Sequence, residues 1–180
     1  NMLEHAILYI IAHAQVYQTT LKDQYEQYIL CNLFNQKVSK EKILEIWEDR
    51  KQVKISNKFI YKFYLYFINN MILLKKEFCN TEFISYVCNC CKEVRDSISE
   101  VQSEELFELA YAHLKDMSRE SVEEKKLYFS FIIHYCENKI RLKKISKCLE
   151  IYNNYNNEIE QNIKEFPALN CQLQYAKAYI

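Results

Sequence analysis

The sequence predicts an all-α fold of about nine antiparallel helices, arranged as stacked helical hairpins in preference to a compact bundle. The 180 residues include no glycine and one proline, Pro167, so the primed β-hairpin turns that depend on glycine are not expected. Apolar residues recur three and four positions apart over most of the chain, as on the buried face of a helix. Polar residues able to cap helices separate these apolar segments.

Four helices are predicted in the first part of the chain. They cover residues 3–17, 21–34, 43–53 and 56–78. Ser39 is the predicted N-cap of the third, because a serine hydroxyl accepts hydrogen bonds from the first amides of a helix. The fourth is apolar on nearly all sides and is predicted to be the longest helix and a central one, with Phe63 and Phe67 buried. Trp47, the single tryptophan, is interpreted as a core residue.

Five further helices are predicted in the rest of the chain. They cover residues 82–94, 106–117, 121–135, 142–152 and 167–180. Asn80 and Thr81 are the candidate N-caps of the first of these, and Ser103 is the predicted N-cap of the second. Ser121 and Glu124 match the S-x-x-E capping box, in which each side chain bonds to the other's backbone amide. Pro167 is expected near the start of the last helix, where its missing N–H costs little.

The asparagine-rich residues 153–157 are predicted to end a helix, because asparagine bonds to its own backbone and tolerates the left-handed conformation. Residues 147–151, followed by this segment and a new helix near Pro167, resemble the close of a tetratricopeptide repeat. The resemblance covers at most one repeat, with Phe129 and Ile132 where small residues belong, and no 34-residue period recurs. It implies paired helices, as in the superhelices of tetratricopeptide or HEAT repeats.

Charge and composition restrict the kinds of partner. The 24 basic and 24 acidic residues give a formal net charge of zero, so we expect no attraction to nucleic acid. The most apolar stretch, residues 59–74, is interrupted by Lys62, Asn69 and Asn70 and is too short to span a bilayer. Lysine outnumbers arginine 20 to 4, and asparagine, isoleucine and tyrosine are abundant, a profile typical of an AT-rich genome.

The chain is expected to be a single domain over residues 1–180, and its uncapped ends predict a fragment of a longer protein. Most of the eight cysteines lie within apolar helical segments, where a free thiol packs as a small hydrophobe. Free thiols predict a reducing compartment and a cytoplasmic location. A secreted, disulfide-bonded scaffold is the alternative, because the number of cysteines is even.

Neither a metal, a cofactor nor catalysis is predicted. Cys88 and Cys91 have the C-x-x-C spacing, but a structural zinc needs four ligands, and His134 with Cys136 would have to supply the others from a different helix. The glycines that phosphate-binding loops and nucleophile elbows require are absent. Pairs of acidic residues fall in the first turns of helices, where the helix dipole explains them.

Aromatic residues supply the predicted binding surface. The first helix of each stacked pair is expected to line a concave side, which places Tyr128, Phe131, Tyr135 and Tyr175 in a groove for a peptide or protein segment. The alternative for these rings is an ordinary core, enriched in tyrosine and phenylalanine by codon bias.

The predicted function is therefore a non-enzymatic interaction module. A compact bundle that sequesters a partner helix, as the Bcl-2-like architecture does, is the second hypothesis, and an enzyme is the third. Homo-oligomerisation is left open.

Overall fold

A computed structural model of the protein describes residues 38–49, 57–162 and 166–178. Within these ranges the chain is all-helical, with seven α-helices and no strand, which confirms the predicted all-α class; the count of about nine helices and the stacked arrangement stay predictions. The helices predicted over residues 3–17 and 21–34 lie outside the described residues. No described helix is long and apolar enough to cross a membrane.

The helices are named in chain order. They are α1 Lys40–Asp49, α2 Asn57–Leu73, α3 Asn80–Ser97, α4 Glu100–Leu114, α5 Val122–Arg141, α6 Ile145–Asn162 and α7 Pro167–Lys177, and a short 3-10 helix, Lys75–Glu77, follows α2. The chain divides into two compact units, Asn1–Glu77 and Phe78–Ile180. The single domain over residues 1–180 stays a prediction.

The first unit contains α1 and α2, which contact each other. The ring of Trp47 stacks on that of Phe67, with centroids 4.4 Å apart, and meets Tyr64 edge to face at 6.1 Å. Trp47 is only 4% exposed, so the interpretation of this residue as core is confirmed. The buried side chains of α2 cover more than half of its circumference; they are Phe63, Tyr64, Tyr66, Phe67, Ile68, Asn70 and Met71.

The end of α2 differs from the prediction. The helix stops at Leu73 after 17 residues, whereas the apolar pattern continued to Phe78. The intervening Lys75–Glu77 are all charged, and they form a 3-10 turn closed by a 2.8 Å bond from the Glu77 amide to the Leu74 carbonyl. The longest described helix is instead α5, with 20 residues.

The second unit is arranged around α5. This helix contacts α3, α4, α6 and α7, and α3 also contacts α4. Four helices therefore pack on α5, and its buried residues lie between Tyr128 and Lys139. The predicted capping box is confirmed at its start, because the Glu124 amide donates to Ser121 Oγ at 3.1 Å and the Ser121 amide donates to Glu124 Oε2 at 2.9 Å. Pro167 occupies the first turn of α7, as predicted.

The cap of α4 lies four residues before the predicted one. Ser99 Oγ accepts hydrogen bonds from the amides of Val101 and Gln102 at 3.1 and 3.3 Å. Ser103 is instead fully buried, and its hydroxyl donates to the Cys91 carbonyl at 2.8 Å. The prediction was wrong because both serines precede acidic residues, and only packing against α3 distinguishes them.

The asparagine-rich segment does not end a helix. Residues 153–157 lie within α6, which continues to Asn162. An asparagine is about 0.7 kcal/mol less favourable than alanine in a helix. At the centre of the segment, Tyr155 packs edge to face on Tyr111 and Tyr128, with centroids 6.4 and 5.6 Å away. Aromatic contacts of this kind are worth about 1 kcal/mol each beyond the buried area, so tertiary packing outweighs the weak local preference.

One residue between α5 and α6 adopts the left-handed backbone conformation, although the chain has no glycine for this purpose. Lys143 has φ of 59°. Its amide bonds to the Ile140 carbonyl at 2.9 Å, and the Lys144 amide bonds to the Lys139 carbonyl at 2.8 Å. These two bonds make the Schellman motif that reverses the chain after a helix. Lysine thus occupies a position where glycine is usual.

Candidate functional site

Six aromatic residues of the second unit form a cluster between α4, α5 and α6. This aromatic cluster consists of Phe107, Tyr111, Tyr128, Phe131, Tyr135 and Tyr155. The ring of Phe107 stacks on Tyr135, with centroids 5.5 Å apart and planes 13° from parallel, and lies 5.5 Å from Phe131. The hydroxyls of Tyr111 and Tyr155 are 3.0 Å apart. Edge and stacked contacts of this kind are typical of a packed core.

The structure brings three of the four predicted groove residues together, but it buries them. Tyr128, Phe131 and Tyr135 are at most 1% exposed, whereas Tyr175 is 56% exposed and lies on α7, outside the aromatic cluster. Residues three and four apart share a helix face, and this apolar face of α5 packs toward α4 and α6. The open groove predicted from the sequence therefore differs from the observed arrangement, in which these rings hold helices together.

The buried phenols of this cluster are poor acids. Burial first, and then the neighbouring Tyr155, raises the pKa of Tyr128 far above its ordinary value of 10.0. Burial followed by the hydrogen bond and charge of Glu108 does the same to the pKa of Tyr135. Both phenols thus stay protonated near neutral pH.

A second group of side chains connects α3 to α5 through charges. This charged cluster consists of Arg95, Asp96, His134, Glu137 and Arg141. Arg95 Nη1 donates to Glu137 Oε2 at 2.9 Å and to the His134 carbonyl at 3.3 Å. Arg95 Nε donates to Asp96 Oδ1 at 2.8 Å, and the Arg95 side chain is only 4% exposed. A buried guanidinium is tolerated because it is paired in this way.

Glu137 is the acceptor at the centre of the charged cluster. Its Oε2 lies 2.9 Å from His134 Nδ1 and 2.9 Å from Arg95 Nη1. Burial alone would raise the pKa of Glu137, but hydrogen bonding to His134 and the nearby charge of Arg95 lower it below the ordinary value. The carboxylate is therefore ionised at neutral pH and fixes the spacing of α3 and α5 on one side of the unit.

The opposite side of α5 carries a second ion-pair network, directed at α4. Lys139 is 2% exposed, its Nζ lies 2.6 Å from Glu104 Oε1, and it also pairs with Glu108. The Lys139 Nζ lies 4.9 Å from the centroid of the Tyr135 ring. The Lys139 ammonium thus pairs with two carboxylates of α4 and lies over an aromatic ring of α5. This network connects α4 to α5.

Three polar residues of α5, Lys126, Ser130 and Glu137, are exposed or half-buried. Together with exposed or half-buried residues of α3 and α7, they define what we call the first-helix surface, whose members are Asn89, Lys92, Asp96, Lys126, Ser130, Glu137, Gln174 and Tyr175. The surface is polar and carries both signs of charge. The sequence contains this polar pattern, with polar residues three and four positions apart, but the apolar stripe alone does not predict a surface there.

The described cysteines are free, and most are buried. Cys79 and Cys171 are exposed, whereas the other five described thiols are buried. Burial raises the pKa of Cys88 to about 11 and that of Cys91 well above its ordinary value, so these thiols are weak nucleophiles. Within the described ranges, no three His, Cys, Asp or Glu side chains are grouped so as to hold a metal ion. Cys31 lies outside those ranges.

No family model, curated protein or solved structure matches this chain. The likeness of residues 147–151 to a tetratricopeptide repeat thus has no support from a family model. The turn that carried the likeness is moreover part of α6. The helix contacts of the second unit are therefore the basis of the proposed function.

Proposed function

We propose that this chain is a non-enzymatic helical module that binds a peptide or protein segment across the first-helix surface. The observation that carries the proposal is the pattern of helix contacts. The first helix of one pair, α5, contacts both helices of the preceding pair, its own second helix and the helix that begins the next pair. Helices α3, α5 and α7 begin at residues 80, 122 and 167, at intervals of 42 and 45 residues. This pattern is typical of stacked hairpins.

In such a stack the first helices line one continuous side, on which a long segment can lie. The charged cluster supports this role, because the buried Arg95 of α3 pairs with Glu137, a member of the surface on α5, and so holds the two helices at a defined spacing. A preorganised surface loses less conformational entropy when a ligand binds. Its amide, hydroxyl and charged groups, such as Asn89 and Ser130, suit the backbone of an extended peptide.

The aromatic residues have two different roles in this proposal. Tyr128, Phe131 and Tyr135 support the surface from within the core, since they are buried. Tyr175 is the member of the predicted groove that remains exposed on a first helix. An exposed tyrosine combines a flat apolar ring with a polar end and is enriched in protein interfaces. The proposal further places the protein in a reducing compartment, where its thiols stay free.

The test is to select binders from a displayed library of random peptides and to measure their affinity for designed surface variants. Lys126→Glu and Tyr175→Ala alter the first-helix surface on α5 and α7. Ala112→Glu is the matched control, because it places a charge on an exposed position of α4, a second helix. We expect the first two changes to weaken binding by about tenfold or more and the control to leave it within twofold.

Circular dichroism melts of all three variants verify that they remain folded. Equal losses at Ala112 and Lys126 would place the binding site elsewhere and contradict the proposal. Failure to select any peptide above background would contradict it as well.

A further inference from the structure

Two buried thiols meet across the α5–α6 hairpin, outside the first-helix surface. Cys136 on α5 and Cys148 on α6 are each six positions from Leu142, the residue that caps α5. In an antiparallel hairpin, positions equally far from the turn lie opposite each other. The Cys136 thiol donates to the Cys148 carbonyl oxygen, with sulfur and oxygen 3.9 Å apart.

The two thiols also influence each other's ionisation. Interaction with the Cys148 side chain, followed by burial, raises the pKa of Cys136 far above its ordinary value. Interaction with Cys136 lowers the pKa of Cys148. When one proton is lost from the pair, Cys148 therefore carries the thiolate, stabilised by the Cys136 S–H. A thiolate beside a second thiol is the arrangement from which disulfides form.

The thiols of α3 are placed differently. Cys88, Cys90 and Cys91 belong to one helix, in which residues three apart have Cβ atoms about 5–6 Å apart. A disulfide requires about 3.5–4.5 Å between Cβ atoms, so Cys88 and Cys91 cannot be bridged without distorting the helix. Adjacent helical residues such as Cys90 and Cys91 point in different directions.

We propose that Cys136 and Cys148 form a disulfide that staples the α5–α6 hairpin when the protein is exposed to hydrogen peroxide. The Cys148 thiolate attacks one peroxide oxygen, the O–O bond breaks, and the departing hydroxide takes up a proton to leave as water. The sulfur of Cys136 then attacks the resulting sulfenic acid at Cys148. The S–O bond breaks, the Cys136 proton leaves with that oxygen as a second water, and the S–S bond forms.

In this reaction two thiols lose two electrons and one peroxide is reduced to two waters. Cys136 is 3% exposed and Cys148 is fully buried, so the oxidant reaches them during local opening of the hairpin. Oxidation should accordingly be slower than at the exposed Cys79 and Cys171. Once formed, the bond closes a short loop around the left-handed Lys143 turn and restricts the unfolded chain.

The experiment treats the native protein with hydrogen peroxide, blocks the remaining thiols with iodoacetamide, and digests it with trypsin without reductant. Cleavage after Lys126, Lys139, Lys147 and Lys164 releases Cys136 in peptide 127–139 and Cys148 in peptide 148–164. We expect a linked pair of these peptides, lighter by two hydrogens than their sum, that disappears with dithiothreitol. The oxidised protein should melt roughly 5 °C or more above the reduced one.

Two variants control the assignment. Cys148→Ala should abolish both the linked peptides and the rise in melting temperature, whereas Cys91→Ala, which removes another buried thiol, should retain both. The inference is overturned if Cys136 and Cys148 are still recovered as unlinked, alkylated thiols after prolonged exposure to peroxide, well beyond the time that oxidises Cys79 and Cys171 completely. Linkage of Cys136 to a thiol of α3 would overturn it equally.

Discussion

Replacing Lys143 with glycine should stabilise this glycine-free protein. Lys143 has φ of 59°, where the Cβ of an L-residue crowds the following carbonyl and costs roughly 1–2 kcal/mol. Glycine removes this strain, but it costs about 0.5–1 kcal/mol more conformational entropy on folding. The Lys143 side chain is exposed, so its removal sacrifices little packing. The expected net gain is about 1 kcal/mol in the free energy of unfolding.

Urea unfolding followed by circular dichroism measures this gain. The midpoint should rise with an unchanged m-value, since the surface exposed on unfolding stays the same. The melting temperature should rise by about 2–4 °C. Lys143→Ala keeps the Cβ and should show no such gain.

The matched control is Lys126→Gly, the same exchange at an exposed position within α5. There the backbone is helical, and glycine should destabilise by about 1 kcal/mol. The two lysine-to-glycine changes are thus expected to have opposite signs. If Lys143→Gly lowers the midpoint as Lys126→Gly does, the left-handed turn is not a source of strain and the reasoning fails.

Three further predictions concern packing and charge. Phe67→Ala should destabilise by about 3–5 kcal/mol in urea unfolding, because Phe67 is fully buried; a melt within two degrees of the parent would contradict this. Tyr135→Ala should destabilise by a similar amount, whereas Tyr175→Ala should change stability by less than about 0.5 kcal/mol; equal effects would mean that Tyr135 is not core. Burial opposes ionisation of Glu104, but hydrogen bonding to Lys139 lowers the pKa of this carboxyl from 4.5. The ionised carboxylate therefore stabilises the folded protein fully above pH 4.5, and this contribution is lost as the pH falls through the lowered pKa. Urea midpoints between pH 7 and 3 should fall less in Glu104→Gln than in the parent.

Features encoded within one or two helical turns were predictable from the sequence. The capping box of Ser121 and Glu124 satisfies amides that are only three residues away, and Pro167 restricts its own φ, so neither depends on the rest of the fold. The burial of Trp47 and Phe67 followed from the width of the apolar stripes. These inferences succeeded because the physical cause and its effect lie in the same segment.

The sequence did not predict which residues of α5 are buried and which form the candidate site. Tyr128 and Tyr135 lie on the apolar side of α5, and their spacing alone is compatible with a groove or a core. The polar stripe that includes Lys126 and Ser130 resembles any solvated helix face. Only the packing of four helices on α5 decides which of its residues are buried and which stay exposed.

The helical fold class was predictable from the sequence alone, because the chain has no glycine for primed β-hairpin turns and repeats its apolar residues with helical spacing. The end of α6 and the turn between α5 and α6 depend instead on tertiary packing. The asparagines around Tyr155 continue α6 because that ring is held by Tyr111 and Tyr128, which are distant in sequence. Lys143 adopts a conformation that lysine disfavours because packing of α5 on α6 requires the turn. Local preferences amount to about 1 kcal/mol per residue, and long-range packing exceeds them.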